Sequence, residues 1–319
     1  MKTDTLLARA GLGKDPQTGA ISMPVYQTAT FSHPALGVST GYDYSRTVNP
    51  TRLALEEVMA KLEKGERGLA FASGMAALTS VLMLFSSGDH LIVSDDLYGG
   101  TYRLLEKVFR QFGLTVSYVD TANQATVEQA RIPGKTKGVL IETPTNPLMK
   151  ITDIAVIAAW ARSNQLLTIV DNTFMTPYLQ RPLELGADLV VHSGTKYLGG
   201  HNDVLSGVVV AANRELGDRV QFIQNSTGAV LGPQDSWLML RGLKTLAVRL
   251  ERQTTNAIQL AEWLLKYPKV SAVFYPGLSS HPGYQVHQRQ AQGPGAMLSF
   301  RLKDAGLIEQ VINRLEVIT

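Results

Sequence analysis

Two hydrophobic patterns alternate along the middle of the chain. Short continuous apolar runs occur at Leu69-Ala70-Phe71-Ala72, His90 to Ser94, Leu114 to Val119, Val139 to Glu142, Leu167 to Val170, Leu189-Val190-Val191 and Ser206 to Val210. Such runs read as strands buried on both faces. Between them, Ser73 to about Phe85, Gly100 to Phe112, Thr126 to Ala130, Asp153 to Asn164 and Asn213 to about Ser226 read as helices. Strands alternating with helices at this spacing predict right-handed crossovers and a mainly parallel sheet covered on both faces. Ahead of it, Asn49 is placed to cap a helix with Pro50 in its first turn, and Leu55, Val58, Met59 and Leu62 follow at helical spacing.

The ends of the chain follow other patterns. Residues 1–50 carry Gly13, Pro16, Gly19, Pro24, Pro34, Gly37 and Gly41, which punctuate too often for a compact domain and suggest an arm that packs on something else. Leu243, Leu246, Leu250, Ala257, Leu260 and Leu264 predict one long helix ended by Pro268, of the kind that joins two domains. The expected division is therefore an arm over 1–50, a large domain over 51–245 and a smaller α+β domain over 246–319. In the last, Val270 to Phe274 and Met297 to Leu302 read as strands and Leu307 to Leu315 as a helix. The pattern leads toward a further strand at Val317-Ile318-Thr319, so this domain is expected to be incomplete.

Composition narrows the class. The 319 residues are 45% apolar and 18% charged, ordinary for a soluble globular enzyme. The net charge of +3 comes from scattered Lys and Arg with no basic block, which argues against a nucleic-acid partner. The absence of cysteine removes disulfides, thiolate nucleophiles and sulfur-bound metals, and no spacing among the histidines suggests a metal site. The first residues lack an apolar signal core and no run approaches a membrane span, so a cytoplasmic protein without a membrane partner is expected.

Candidate chemistry gathers where strands end, the usual place for ligands in such sheets. Lys196 follows the run at 189–191, with hydroxyls at Ser193 and Thr195 before it and Gly199-Gly200 behind. Burial there would lower the amine pKa and make it a nucleophile or base near neutral pH, whereas a surface lysine in a polar loop is the plain alternative. Ser73-Gly74-Met75 turns from a strand into a helix start, where N–H groups can meet an anion. Neither the triphosphate-binding nor the dinucleotide-binding glycine pattern is present. Asp171 stands at a strand end, and Tyr98 and Asn146 follow two others. An amine, a carboxylate, an aromatic ring and a phosphate cradle are the four parts that a pyridoxal phosphate enzyme needs.

Six motifs extend this reading: Tyr44-Ser45-Arg46 before Asn49-Pro50-Thr51, Ser73-Gly74-Met75-Ala76-Ala77, Asp95-Asp96-Leu97-Tyr98-Gly99-Gly100, Glu142-Thr143-Pro144-Thr145-Asn146-Pro147, Val170-Asp171-Asn172-Thr173-Phe174, and the Lys196 stretch. In this order the sequence resembles the cystathionine lyase and cystathionine synthase family, of the aspartate aminotransferase-like (type I) α/β fold. The resemblance implies Lys196 as the lysine that binds pyridoxal 5'-phosphate and moves protons on the substrate, Asp171 as partner of the pyridine nitrogen, and Tyr98 as the ring that stacks on the cofactor and assists proton transfer. It implies Ser73, Gly74, Met75, Ser193 and Thr195 as phosphate ligands, and Asn146 as a cofactor or substrate contact. Tyr44 and Arg46, read alone as an aromatic anchor and a surface charge, are implied to reach the phosphate of a neighbouring subunit in a homotetramer built from dimers that share active sites. His192 and His201 are assigned structural roles.

The expected activity is cleavage of a small sulfur amino acid, L-cystathionine, by β-elimination to homocysteine, pyruvate and ammonia. The wording of Leu231 to Trp237 and of His281-Pro282-Gly283 leans that way. A γ-synthase or γ-lyase is the alternative. Members of the resembling family continue beyond the position of Thr319 into a segment carrying the arginine that clamps the substrate carboxylate. A non-catalytic cofactor-binding protein is accordingly the alternative of another class.

Overall fold

The computed structural model of the chain describes residues 1–316 except 14 and 16, so the strand expected at 317–319 lies outside the described residues. Strands β1 (Arg67–Phe71), β2 (His90–Ser94), β3 (Thr115–Val119), β4 (Thr136–Glu142), β5 (Leu167–Asp171), β6 (Leu189–Ser193) and β7 (Gly207–Ala211) form a seven-stranded sheet ordered β1-β7-β6-β5-β4-β2-β3. Pairings among β2 to β6 are parallel, and β7 runs antiparallel to both its neighbours. Along the chain the helices are α1 (Thr3–Ala8), α2 (Pro50–Glu63), α3 (Gly74–Leu82), α4 (Gly99–Lys107), α5 (Gln124–Gln129), α6 (Ile154–Ser163), α7 (Thr176–Leu179), α8 (Arg214–Thr227), α9 (Pro233–Leu243), α10 (Leu246–Lys266), α11 (Tyr284–Gln290) and α12 (Ile308–Ile312).

The apolar runs are continuous because both sheet faces are covered, yet successive side chains still part to opposite sides. Ile169, Val191 and Val209 join Leu78 and Val81 of α3 and Val220 of α8 in one core. Val208 and Val210 pack with Leu55 and Met59 of α2, Met239 and Leu243 of α9 and Leu250 of α10 on the other side. There Ile92, Val139, Ile141 and Val170 meet Ile154 and Ile157 of α6.

Helix starts are fixed by short polar side chains. The Asn49 side chain accepts from the amide of Thr51 at 3.0 Å, with Pro50 in the first turn as expected from the sequence. Ser73 caps α3 through Ala76 N–H at 3.0 Å, and Asp153 caps α6 through Val156 N–H at 3.2 Å.

The long helix expected from residue 243 is two elements. A separate α9 precedes Lys244-Thr245, and α10 starts at Leu246. Helix α10 then carries Ala257 and Ala261 to a small core with Tyr275, beside the antiparallel pair β8 (Val270–Phe274) and β9 (Ser299–Leu302). The described residues between α1 and α2 hold isolated bridges such as Thr30 to Tyr44 and are largely exposed.

Candidate active site

The carboxyl ends of β4, β5 and β6 and the turn after β1 open on a cavity of about 260 Å³. Ser73, Gly74, Met75, Tyr98, Asn146, Asp171, Ser193, Thr195 and Lys196 all line it. Residues from five separate motif segments would not meet unless the strands were ordered as they are; parallel neighbours β4, β5 and β6 put Glu142 beside Asp171 and Asp171 beside Val191 in register.

At one side, the α3 start offers an anion site. Ser73 satisfies the third amide of the helix, Ala76 N–H, leaving those of Gly74 and Met75 without intrahelical acceptors. Gly74 is required by proximity: a Cβ there would lie 2.9 Å from both Cα and Cβ of Ser193. Gly207, which begins β7, is pressed still harder, since a Cβ would strike the carbonyl of Ser73. The Thr195 hydroxyl donates to Ser206 O at 3.3 Å and accepts from Ser206 N–H at 3.0 Å, so it shapes the loop as well as facing the cavity.

Lys196 departs from expectation. The residue is exposed, not buried just past the strand. The reason is local: Lys196 lies in the turn after β6, on the open side of the cavity, while the next residues, Leu198 and Gly199, turn inward. Among the described residues no hydrogen bond or ion pair engages its Nζ, and the amine is free for a ligand.

Opposite chemistry is supplied by acids. Asp171 accepts from Thr173 N–H at 3.0 Å, and Thr173 Oγ1 in turn accepts from Ser193 N–H at 2.9 Å. Loss of solvation pushes the Asp171 carboxyl up, opposed by the bonds from Thr173 and by His192. Glu142, quoted in a motif but assigned no role from sequence, is buried in the same wall. Burial first, then the neighbouring Asp171, pushes it up to about 8.

That shift has a sign. In the cofactor-free protein Glu142 keeps its proton in a range where the unfolded chain, at 4.5, has lost it, so its contribution to stability declines as pH rises from 4.5 toward about 8. Glu142→Gln removes this dependence. The thermal midpoint of wild type minus that of the variant should therefore fall between about pH 5 and about pH 8. A difference that grew with pH would mean the carboxyl ionises more readily inside the fold than outside.

Tyr44 and Arg46 are not brought to this cavity. Arg46 donates to Asn225 O at 2.6 Å near the end of α8, and its guanidinium lies 5.4 Å from the centre of the Tyr44 ring. Thr101 and Leu205 line the cavity without having been singled out from the sequence, and Thr173 and Phe174, quoted in a motif but assigned no role, line it too. His192 lies fully buried with its Nε2 2.7 Å from Glu63 Oε1, and His201 Nδ1 is 2.8 Å from Gly199 O. Among the described residues no cluster of acids and histidines could hold a metal ion, and no helix is long and apolar enough to cross a membrane.

Such a sheet with such strand ends has a recognisable class: pyridoxal phosphate enzymes of the type I, aspartate aminotransferase-like fold. The donor set fits that cofactor, since free helix amides suit its phosphate, Asp171 its ring nitrogen and the unengaged Lys196 amine its aldehyde. The chain belongs to the Cys/Met metabolism PLP-dependent enzymes, whose sequence model matches residues 4–319. It is 51% identical over 319 residues to a cystathionine gamma-lyase of Bacillus subtilis (strain 168), covering 100% of this chain and 84% of that protein. It is 49% identical over 315 residues to a cystathionine beta-lyase of Lactococcus lactis subsp. cremoris (strain MG1363), covering 99% and 83%. A cystathionine gamma-synthase of Haemophilus influenzae is 49% identical over 317 residues, covering 99% and 81%. Among solved structures, cystathionine gamma-lyase from Lactobacillus plantarum complexed with L-serine superposes with a TM-score of 0.97 at 48% identity, over 100% of this chain and 83% of that one.

Proposed function

We propose that the protein is a carbon–sulfur lyase that cleaves L-cystathionine by β-elimination, giving homocysteine, pyruvate and ammonia. The observation that carries the reading is the free Lys196 amine at the open side of a cavity whose inner wall holds Asp171. When bound, pyridoxal phosphate supplies an electron sink for negative charge at the substrate α-carbon. Asp171 holds a proton at the ring nitrogen, and the Gly74 and Met75 amides with the Ser193 and Thr195 hydroxyls bind the phosphate. Tyr98 and Asn146 orient ring and substrate. Lys196 Nζ would hold the cofactor's aldehyde carbon and, once released from it, would serve as the base for the substrate α-proton; its exposure and lack of a partner among the described residues leave it able to do both. Tyr44 and Arg46, which lie outside this cavity, would serve the site of a neighbouring subunit in a homotetramer of active-site-sharing dimers.

A second reading is favoured by the Bacillus relative's name: γ-elimination, in which Lys196 also removes a β-proton and the products are cysteine, 2-oxobutyrate and ammonia. The test is product analysis after adding L-cystathionine to the purified protein. Pyruvate with homocysteine supports β-elimination, 2-oxobutyrate with cysteine supports the second reading, and cystathionine formed only from an activated homoserine plus cysteine would replace both by a synthase. A protein that binds the cofactor and turns over none of these would overturn the lyase reading.

A further inference from the structure

Glu142 closes β4, and its two carboxylate oxygens are divided between two different segments of the cavity wall. Oε2 accepts from Tyr98 N–H at 2.9 Å, at the start of α4. Oε1 accepts from Asn146 N–H at 2.9 Å, in the loop that follows β4. The backbone carrying the carboxylate is itself anchored, because Glu142 N–H donates to Ser94 Oγ at 3.2 Å and that hydroxyl continues a buried chain through Thr121 to Thr152, with spacings of 2.8 and 2.7 Å.

The two segments are tied a second time, farther from the cavity. Asp96 Oδ2 accepts from the Thr145 hydroxyl and from Leu148 N–H, the latter at 2.9 Å. Asp96 is half-buried and does not line the cavity, while Glu142 is buried and does. The charged groups that act on it are Asp171 from β5 and Asp96 from the loop before α4, and Lys196 from the turn after β6 lines the same cavity.

From this geometry we infer that Glu142 is a positioning residue: one buried carboxylate sets the backbone of Tyr98 and of Asn146 together, and so fixes the spacing between two side chains that hold pyridoxal phosphate and its substrate. The inference rests on the cofactor site described above. It gives a reason for an acid at a place where an acid is expensive, next to Asp171 at the end of the adjacent strand. An amide of the same shape cannot replace it, because it has one acceptor oxygen and would turn its NH₂ toward one of the two N–H groups.

The experiment is a titration of pyridoxal phosphate into cofactor-free protein, followed by absorbance and by visible circular dichroism of the bound cofactor, with thermal melting in parallel. Glu142→Gln is expected to raise the cofactor Kd by about tenfold and to weaken the dichroic band. Glu142→Asp keeps the carboxyl group and its two oxygens on a shorter arm and should show part of the loss; it carries the test if the Gln variant fails to fold. Because the effect passes through two side chains, Glu142→Gln should change the Kd by less than about threefold in a Tyr98→Ala, Asn146→Ala background. A full tenfold loss in that background, or a wild-type Kd and dichroism for Glu142→Gln and Glu142→Asp, would overturn the inference. A wild-type protein that fails to take up the cofactor would instead sink the site on which it rests.

Discussion

Lys196→Ala is expected to lower turnover of L-cystathionine by at least ~10³-fold and to remove the visible absorbance of attached cofactor, while leaving the thermal midpoint of the cofactor-free protein nearly unchanged. The two halves of this expectation come from the same observation. The Lys196 side chain is exposed and engages no partner among the described residues, so its removal leaves no cavity and strands no buried group; surface changes of that kind stay within about ±0.5 kcal/mol. Its chemical work is concentrated in Nζ. General acid–base transfer by a positioned side chain contributes roughly 10²–10⁴-fold, and loss of the covalent anchor adds to that. Lys196→Arg should fail almost as badly, because the guanidinium keeps its charge where a free amine is needed. Added methylamine should restore part of the turnover in the alanine variant but not in the arginine variant, whose side chain still fills the position. An alanine variant that turns over within about tenfold of wild type would remove Lys196 from the chemistry.

Much of this architecture is legible in the sequence because strands buried on both faces leave continuous apolar runs, which punctuate the chain at β2, β4, β5, β6 and β7. Direction is not written in a strand. The antiparallel β7 follows β6 through 194–206 without any helix in between, and that missing crossover is the signal that could have marked it. The junction of α9 and α10 is hidden for a similar reason: Leu243 and Leu246 keep the helical spacing across Lys244-Thr245, neither of which is a strong breaker. Helix α11 carries little apolar periodicity and is tied down by distant groups, Gln290 accepting from Ile154 N–H at 3.1 Å and donating to Thr152 O at 3.0 Å.

The site divides along the same line. Ser73 and Asp171 are legible because each is polar immediately after an apolar run, and Ser193 and Lys196 because they stand in the short polar stretch that follows one. Glu142 stands at such an end too, but its meaning depends on its register with Asp171 and on two loops folding back onto one carboxylate. Lys196 shows the opposite failure. Position after a strand predicts proximity to the cavity, which holds, but not burial, which depends on how far the surrounding loops rise above the strand ends.

Behind the cavity lies a contact that no local pattern could announce, and its disruption is the second large effect expected. Glu63 closes α2, and its fully buried Oε1 sits 2.7 Å from His192 Nε2 while accepting from Asn172 Nδ2 at 3.1 Å. Asn172 also donates to Gln180 O at 2.8 Å and accepts from Gln180 Nε2 at 3.0 Å. His192 precedes Ser193 and Asn172 follows Asp171, so one carboxyl group pins two strand ends directly behind two cavity residues. Glu63→Ala leaves a buried imidazole without that partner and opens a hole among packed side chains, which together cost about 3–5 kcal/mol. Glu63→Gln preserves volume and one acceptor oxygen and should lose about 1–3 kcal/mol. Denaturant unfolding at fixed protein concentration measures both, since any assembly would make stability depend on that concentration. The alanine variant should also bind the cofactor more weakly at temperatures where it remains folded, as Asp171 and Ser193 gain freedom that binding must then remove. A loss below about 1 kcal/mol for Glu63→Ala would mean that the strand ends are held by the apolar cores alone, and that the buried carboxyl merely answers a histidine placed there for another reason.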